Sequence, residues 1–430
     1  MSGTPGLSRR LGTMDAVVIG LGSMMGAGVF AAFTPAAQAA GSGLLIGLAV
    51  AAGVAYCNAT SSAQLAATYP TSGGTYMYGR KLLGPWPGFL AGWGFVIGKT
   101  ASSAAMAMTF AAYAAPPGWE RPVAMAAVAL LVAVNYRGIT RTAALARIIV
   151  VTVLLALAIA VAAVWTGLGE GGAGLLSSEG LAGSGLLAHG WYGILQSAGL
   201  LFFAFAGYAR IATLGEEVRD PRRTIPRAIL ISLAIAAAIY ACLGITLLVA
   251  LGPDGVAGTS APLAAAVAAG SWGWAAPVVQ VGAALASLGA LLALIAGVGR
   301  TTMAMAREDD LPRWLSAVHP KFQVPHRAEL ALGVAVVVII AVADLRGAIA
   351  FSSFGVLLYY LVANLAAFTQ TGTDRRYPRF LQLLGAGACV LLVATLPVQA
   401  VMAGLAMFAV GALYRVIRQR TLHQHRTARG

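Results

Sequence analysis

From one end of this chain to the other, apolar stretches recur that are long enough to cross a hydrocarbon layer of about 30 Å, which takes roughly 20 helical residues. That recurrence leaves few architectures open. Only 10% of the 430 residues are charged and 59% are hydrophobic, where a soluble domain carries about 25% charged residues. Lipid, not water, must be the main solvent of such a surface. The pattern predicts an all-α membrane protein with about 12 transmembrane helices.

Charged and Gly/Pro clusters place the spans at about 14–40, 42–68, 89–115, 122–136, 143–166, 191–215, 226–251, 272–306, 328–343, 348–370, 380–395 and 398–418. They divide the chain into a cytoplasmic N-terminal segment (1–13), a first five-helix unit (14–166), a second (191–370), two further helices (380–418) and a basic tail (419–430). The segment 69–88 reads as a long loop, and an outer loop containing Asp254 follows span 7. The net charge of +14 would suggest nucleic acid in a soluble protein. Here all of the 28 Lys and Arg except Lys99, Arg121, Arg210 and Arg346 fall on one side of the predicted topology. That asymmetry is the positive-inside rule. It predicts a multi-pass protein of the cytoplasmic (inner) membrane with both termini in the cytoplasm and no nucleic-acid partner; the basic tail reads as a solvated segment, with contact to anionic lipid headgroups as the alternative. Cys57, Cys242 and Cys389 all lie in apolar spans, so no disulfide framework or zinc site is expected. The first apolar stretch begins near Asp15 and reads as a retained span, not a cleaved signal.

Span 1 contains Gly20, Gly22, Gly26 and Gly28, four glycines within nine residues at mid-depth. Each lowers helix stability by roughly 1 kcal/mol relative to alanine. Gly22 and Gly26 also have the GxxxG spacing of close helix packing, but the whole cluster is better explained by a helix that unwinds. Unwinding at that depth is tolerated only where protein or a polar cavity takes up the freed backbone groups. No strand precedes the glycines and no Gly-Lys-Ser/Thr follows, which excludes a nucleotide loop. Span 6 has a matching irregularity, Phe202-Phe203-Ala204-Phe205-Ala206-Gly207-Tyr208-Ala209-Arg210. Interrupted segments in corresponding positions of two halves point to a transporter binding site on an inverted repeat. Half-helix N-termini attract a carboxylate and orphan carbonyls attract an ammonium, so a zwitterionic amino acid suits both.

Four stretches then resemble the amino acid–polyamine–organocation transporters: Gly20 to Phe30; Pro70-Thr71-Ser72-Gly73-Gly74-Thr75-Tyr76-Met77-Tyr78; Phe202 to Gly207 with Glu216-Glu217-Val218-Arg219-Asp220-Pro221 and Ile225-Pro226-Arg227-Ala228; and Arg300 with Ala304 to Arg307 and Leu311-Pro312. The resemblance implies a leucine-transporter-type fold, a five-plus-five inverted repeat with broken helices 1 and 6 and two extra helices. It implies a permease that moves amino acids by alternating access, with no cofactor and no metal. The substrate carboxylate would meet the N–H groups of Gly26, Ala27 and Gly28. Its ammonium would meet carbonyls near Met24, Phe203, Ala204 and Ala206, beside Gly207. Phe203, Phe205 and Tyr208 would form the gate.

One departure bears on coupling. Relatives carry a helix-5 lysine that is thought to mediate proton coupling; the matching site here is Thr152 or Val153. Instead, Lys99 lies inside span 3 and Arg210 inside span 6. An intramembrane cation is a functional candidate by default, set against a lysine that snorkels or pairs with a backbone carbonyl and an arginine paired with Glu216, Glu217 or Asp residues at the inner mouth. Lys99 and Arg210 are the coupling candidates. Small residues in the pocket and these two charges favour neutral amino acids, with a proton as coupling ion or an exchange mechanism. The alternatives are a cationic amino acid or polyamine transporter of the same fold, and sodium coupling through Ser287 or Thr152. A membrane enzyme would need catalytic side chains in the spans, yet His189, His319, His326, His423 and His425 all lie in loops or the tail. No cysteine in an outer loop calls for a partner subunit.

Overall fold

The computed structural model describes residues 11–71, 73–138, 143–167, 184–215, 217–270 and 272–427. Arg9, Arg10, Ser72, Arg141 and Glu216 therefore lie outside the described residues, as does most of the predicted loop before Gly190. The chain is all-helical, and its described residues contain no strand, only an isolated parallel bridge between Leu11 and Val218. That bridge ties the entry of the first span to the exit of the sixth, through Leu11 N–H to Glu217 O (3.1 Å) and Arg219 N–H to Leu11 O (2.9 Å).

Span 1 is made of α1 (Thr13–Met24), α2 (Ala27–Ala31) and α3 (Phe33–Ala40), and span 2 is α4 (Leu44–Thr68). The region expected to be a loop after span 2 folds instead as α5 (Gly74–Leu82). The reason is packing: its residues Tyr76 and Tyr78 are buried. The chain enters it through Gly74 at φ +55°, where a side chain would be strained and would press on the Tyr359 hydroxyl. Next come α6 (Pro85–Ala114), α7 (Glu120–Tyr136) and α8 (Ala143–Gly167). Span 6 comprises α9 (Gly190–Phe205), a 3₁₀ turn at Ala206–Tyr208 and α10 (Ala209–Ala212). Span 7 is α11 (Pro221–Ala257), whose regular part ends at the kink of Gly252, φ +67°. The stretch beyond holds a second helix not foreseen, α12 (Pro262–Ala269). The last spans are α13 (Ala276–Arg307), α14 (His326–Val342), α15 (Leu345–Thr369), α16 (Arg379–Thr395) and α17 (Val398–Thr427).

Among the described residues nine helical runs are long and apolar enough to cross a membrane. The 17-residue α7, α14 and α16 complete a roughly 12-helix bundle. Burial separates centre from rim: 78% of the apolar window is buried in spans 6 and 10, against 22% in α17. The helix α6 packs on α15 and α13, and α4 on α9 and α11; the interrupted spans pack among these, α1 on α11 and α8, α2 on α6 and α9.

Where α4 meets α15 and the residue that follows it, the contact is polar. Asn364 donates to Asn58 Oδ1 (2.6 Å), Ser61 donates to Asn364 Oδ1 (2.6 Å), and Gln64 donates to Gln370 Oε1 (2.9 Å) and Ala367 O (3.0 Å). All five side chains are buried. Within lipid, such side-chain bonds fix which helices pair and in what register.

At the basic end of the bundle, the Asp309–Asp310 pair that follows α13 gathers three segments. Asp310 accepts from Tyr76 Oη (2.8 Å), Arg80 Nη1 (2.6 Å) and Arg415 Nη1. Asp309, in the left-handed region at φ +60°, accepts from Arg313 (2.6 and 2.8 Å) and Arg418 (3.1 Å). The hydrogen bond from Arg313 holds the Asp309 carboxyl below the usual carboxylate range.

Candidate functional site

The first span breaks where its glycines predict. Met25 closes α1 by donating to Leu21 O (2.8 Å), Gly26 leaves the helical region at ψ −134°, and Ala27 starts α2. Gly26 has no room for a side chain, since a Cβ would lie 2.6 Å from Met106 Sδ and 2.7 Å from Ala290 Cβ. On Gly28 a Cβ would meet Ala204 Cα at 2.6 Å. These two glycines bring the start of α2 against α6, α13 and α9.

Span 6 behaves differently. It tightens into the 3₁₀ turn at Ala206–Tyr208 without a gap between its helical segments. Changing from α to 3₁₀ spacing leaves carbonyls there without their usual partners. Gly207 sits directly on the break of span 1: a Cβ on it would lie within 2.7 Å of Met24 N and closer still to the Ser23 carbonyl. Thus Met24, Gly26, Ala27, Gly28, Ala204, Ala206 and Gly207 converge on one locus where the two irregularities touch.

Side chains from other helices fill the hydrogen bonds that this locus leaves open. The Tyr240 hydroxyl of α11 lies 2.7 Å from Met24 O and 3.1 Å from Ala204 O, and its single proton can serve one at a time. Lys99 Nζ donates to Ala206 O (3.2 Å), and the Tyr360 hydroxyl reaches the same oxygen (3.3 Å). Ala27 N–H donates to Met106 Sδ (2.9 Å). Tyr113 donates to Phe30 O (2.8 Å) at the end of α2.

The residues expected to gate the site are buried around it. Phe205 meets Tyr240 edge-on at 5.0 Å, and Tyr208 lies 5.1 Å from Tyr360, which Phe202 also contacts edge-on at 5.7 Å. Phe203 is buried as well, at 6% exposure. All of these rings are covered by the surrounding helices.

Lys99 is deeper than its place in the sequence suggests, because α6 starts at Pro85 and not near residue 89. It is 6% exposed and pairs with a backbone carbonyl; among the described residues no carboxylate lies within 4 Å of it. For Arg210 the described residues show a neutral partner, and Glu216, one of the two glutamates expected to pair with it, lies outside them. The Arg210 guanidinium donates to Thr213 Oγ1 (3.1 Å), and Thr213 donates back to Arg210 O (2.8 Å). Glu217 and Arg300 are its charged neighbours, but the described residues give it no salt bridge. Val153, at the position of the missing helix-5 lysine, is buried, and Thr152 is half-buried. The Ser287 hydroxyl is buried and has no hydrogen-bond partner among the described residues.

Tyr240, Tyr360, Tyr113 and Met106 were not foreseen as site residues. A tyrosine inside an apolar span carries a usable signal, since a buried hydroxyl must find an acceptor. Met106 carries none, because a methionine in an apolar helix reads as packing.

A helical bundle whose two irregular helices meet at mid-depth, ringed by hydroxyls and one ammonium, defines the class of a multi-pass membrane transporter. The profile of the amino acid permease family matches residues 11–423. The chain belongs to that family. It is 57% identical to an uncharacterized transporter of Mycobacterium tuberculosis over 425 residues, 99% of this chain and 94% of that one. It is also similar to cationic amino acid transporter 7, chloroplastic, of Arabidopsis thaliana, 28% identical over 84% of this chain and 65% of that one. A third relative is the branched-chain amino acid permease BcaP of Bacillus subtilis, 25% identical over 77% and 74% of the two chains.

Proposed function

We propose that this amino acid transporter is a secondary active permease for neutral amino acids that works by alternating access. On this reading it sits in the cytoplasmic membrane with both termini inside. Residues 14–166 and 191–370 act as two inverted five-helix repeats, and 380–418 as two added helices. The substrate carboxylate binds the N–H groups of Gly26, Ala27 and Gly28. The ammonium binds carbonyls of Met24, Phe203, Ala204 and Ala206, with Phe203, Phe205 and Tyr208 covering it.

The observation that carries the coupling half of this reading is the bond from Lys99 to Ala206 O. A buried ammonium without a carboxylate partner is costly to keep charged, so its protonation is readily tied to what else occupies that carbonyl. Lys99 in α6 then takes the part of the absent helix-5 lysine, and a proton is the coupling ion. The same charge, together with Arg210, disfavours a second cation and so favours neutral over cationic substrates. The branched-chain permease among the relatives agrees with that preference; the Arabidopsis relative supports the cationic alternative.

In proteoliposomes, Lys99→Met is expected to bind amino acids and to lose the stimulation of uptake by an inward proton gradient. Uptake by the variant that still follows the gradient as wild type does would refute this role for Lys99. Arg210→Ala separates a substrate contact from an architectural charge. Unchanged affinity for every transported amino acid would show that Arg210 does not touch the substrate.

A further inference from the structure

Lys99 and Met106 are seven residues apart on α6, two helical turns, and therefore share one face. Lys99 holds the Ala206 carbonyl at the turn of span 6, and Met106 Sδ holds the Ala27 N–H at the start of α2. We propose that this face of α6 is an internal stand-in for the substrate. The Lys99 ammonium occupies the place of a ligand's ammonium, Met106 sulfur occupies the place of its carboxylate, and an amino acid binds by displacing them. The inference rests on the amino acid reading above.

The chemistry of the two groups makes them replaceable. A thioether is a weak acceptor. A carboxylate accepting from the same N–H forms a charge-assisted bond about twice as strong as a neutral one. Exchange of sulfur for carboxylate oxygen is therefore favourable. At the other end, one ammonium replaces another on the same carbonyl, and the displaced Lys99, costly to keep charged without that acceptor, gives up its proton as the ligand binds. Both side chains are long and unbranched and can swing aside without moving α6. Met106 also fills the volume against the break, since Gly26 has the thioether where its own Cβ would be, 2.6 Å from Sδ and 2.9 Å from Cε.

Self-occupation lowers apparent affinity, because only the fraction of molecules with the stand-in displaced can bind. Removing the sulfur should raise that fraction. The effect should depend on the ligand's carboxylate, which distinguishes loss of a competing acceptor from simple loss of bulk.

The test uses the full-length protein in detergent. Dissociation constants are measured for the twenty amino acids, and for the decarboxylated amine of whichever binds tightest, which has no acceptor for the Ala27 N–H. In Met106→Leu, which keeps the volume and removes the acceptor, the amino acid is expected to bind about 3-fold tighter and the amine to be unchanged. Met106→Ala should tighten amino acid binding further, about 10-fold; the leucine variant decides alone if the alanine variant does not fold. Unchanged or weaker amino acid binding in Met106→Leu overturns the stand-in, as does equal tightening for amino acid and amine. Should wild type bind none of the twenty amino acids, the functional reading itself fails, and the stand-in with it.

Discussion

An Asp310→Asn variant is expected to lose about 3–5 kcal/mol of stability and to melt in detergent well below wild type. The Asp310 carboxylate is 6% exposed and receives bonds from Tyr76 and Arg80 of α5 and from Arg415 of α17. Arg415 is buried more deeply still, and its guanidinium lies over Phe89 and Trp86, 4.6 and 5.0 Å from the ring centres. Neutralising the acid leaves that guanidinium buried with no counter-charge, the condition under which breaking an internal ion pair is most costly. Glu308→Gln is the control. Glu308 also pairs with Arg80 (3.2 Å), but its side chain is 48% exposed, so the expected change is about 0–1 kcal/mol. Melting curves that shift equally for the two variants would contradict this account. Because Asp310 ties α5 to the end of α13, its loss should also loosen the basic end of the transporter, read as faster labelling of a cysteine placed there.

Gly207→Ala is expected to abolish transport while leaving the protein folded in the membrane. A Cβ here runs into the backbone of Ser23 and Met24, which cannot swing aside as a side chain can. Overpacking of this kind costs about 1–3 kcal/mol, and the cost falls on the contact that closes span 6 against the break in span 1. Gly297→Ala in α13 is the comparison, since nothing lies within 4 Å of a Cβ there. It should transport like wild type and gain slightly in stability from the better helix former. Uptake rates normalised to protein in the vesicles distinguish the cases; wild-type uptake by Gly207→Ala would show that the two helices need not touch so closely.

Much of the bundle was legible in the sequence, because crossing lipid demands long apolar runs that no local detail can hide. The break in span 1 could be read for a similar reason: clustered glycines change backbone propensity on the spot. Span 6 was only partly legible. A single glycine among aromatics marks an irregularity but does not say whether the chain unwinds or tightens into a 3₁₀ turn, as it does at Ala206–Tyr208. The amphipathic α5 was missed because nine residues with Arg80 and Lys81 at the end look like a polar linker until the partners of Tyr76 and Tyr78 are known. Among the described residues Arg210 bonds Thr213 at one turn, a partner that no charge pattern marks. Hardest of all were the donors to the site. Tyr240 meets Met24 across 216 positions of chain and Lys99 meets Ala206 across 107, and no periodicity records such pairings.

The polar contact between α4 and α15 has a bearing on how the protein is made. Asn58 and its partner Asn364 are 306 residues apart. At a synthesis rate of about 5–20 residues per second, the tenth span follows the second by roughly 15–60 s. Throughout that interval the nascent α4 exposes Asn58, Ser61 and Gln64 to lipid or to whatever shelters it. Biogenesis of this transporter therefore calls for a temporary host that keeps the second span from mispairing or slipping out of the bilayer until the tenth arrives.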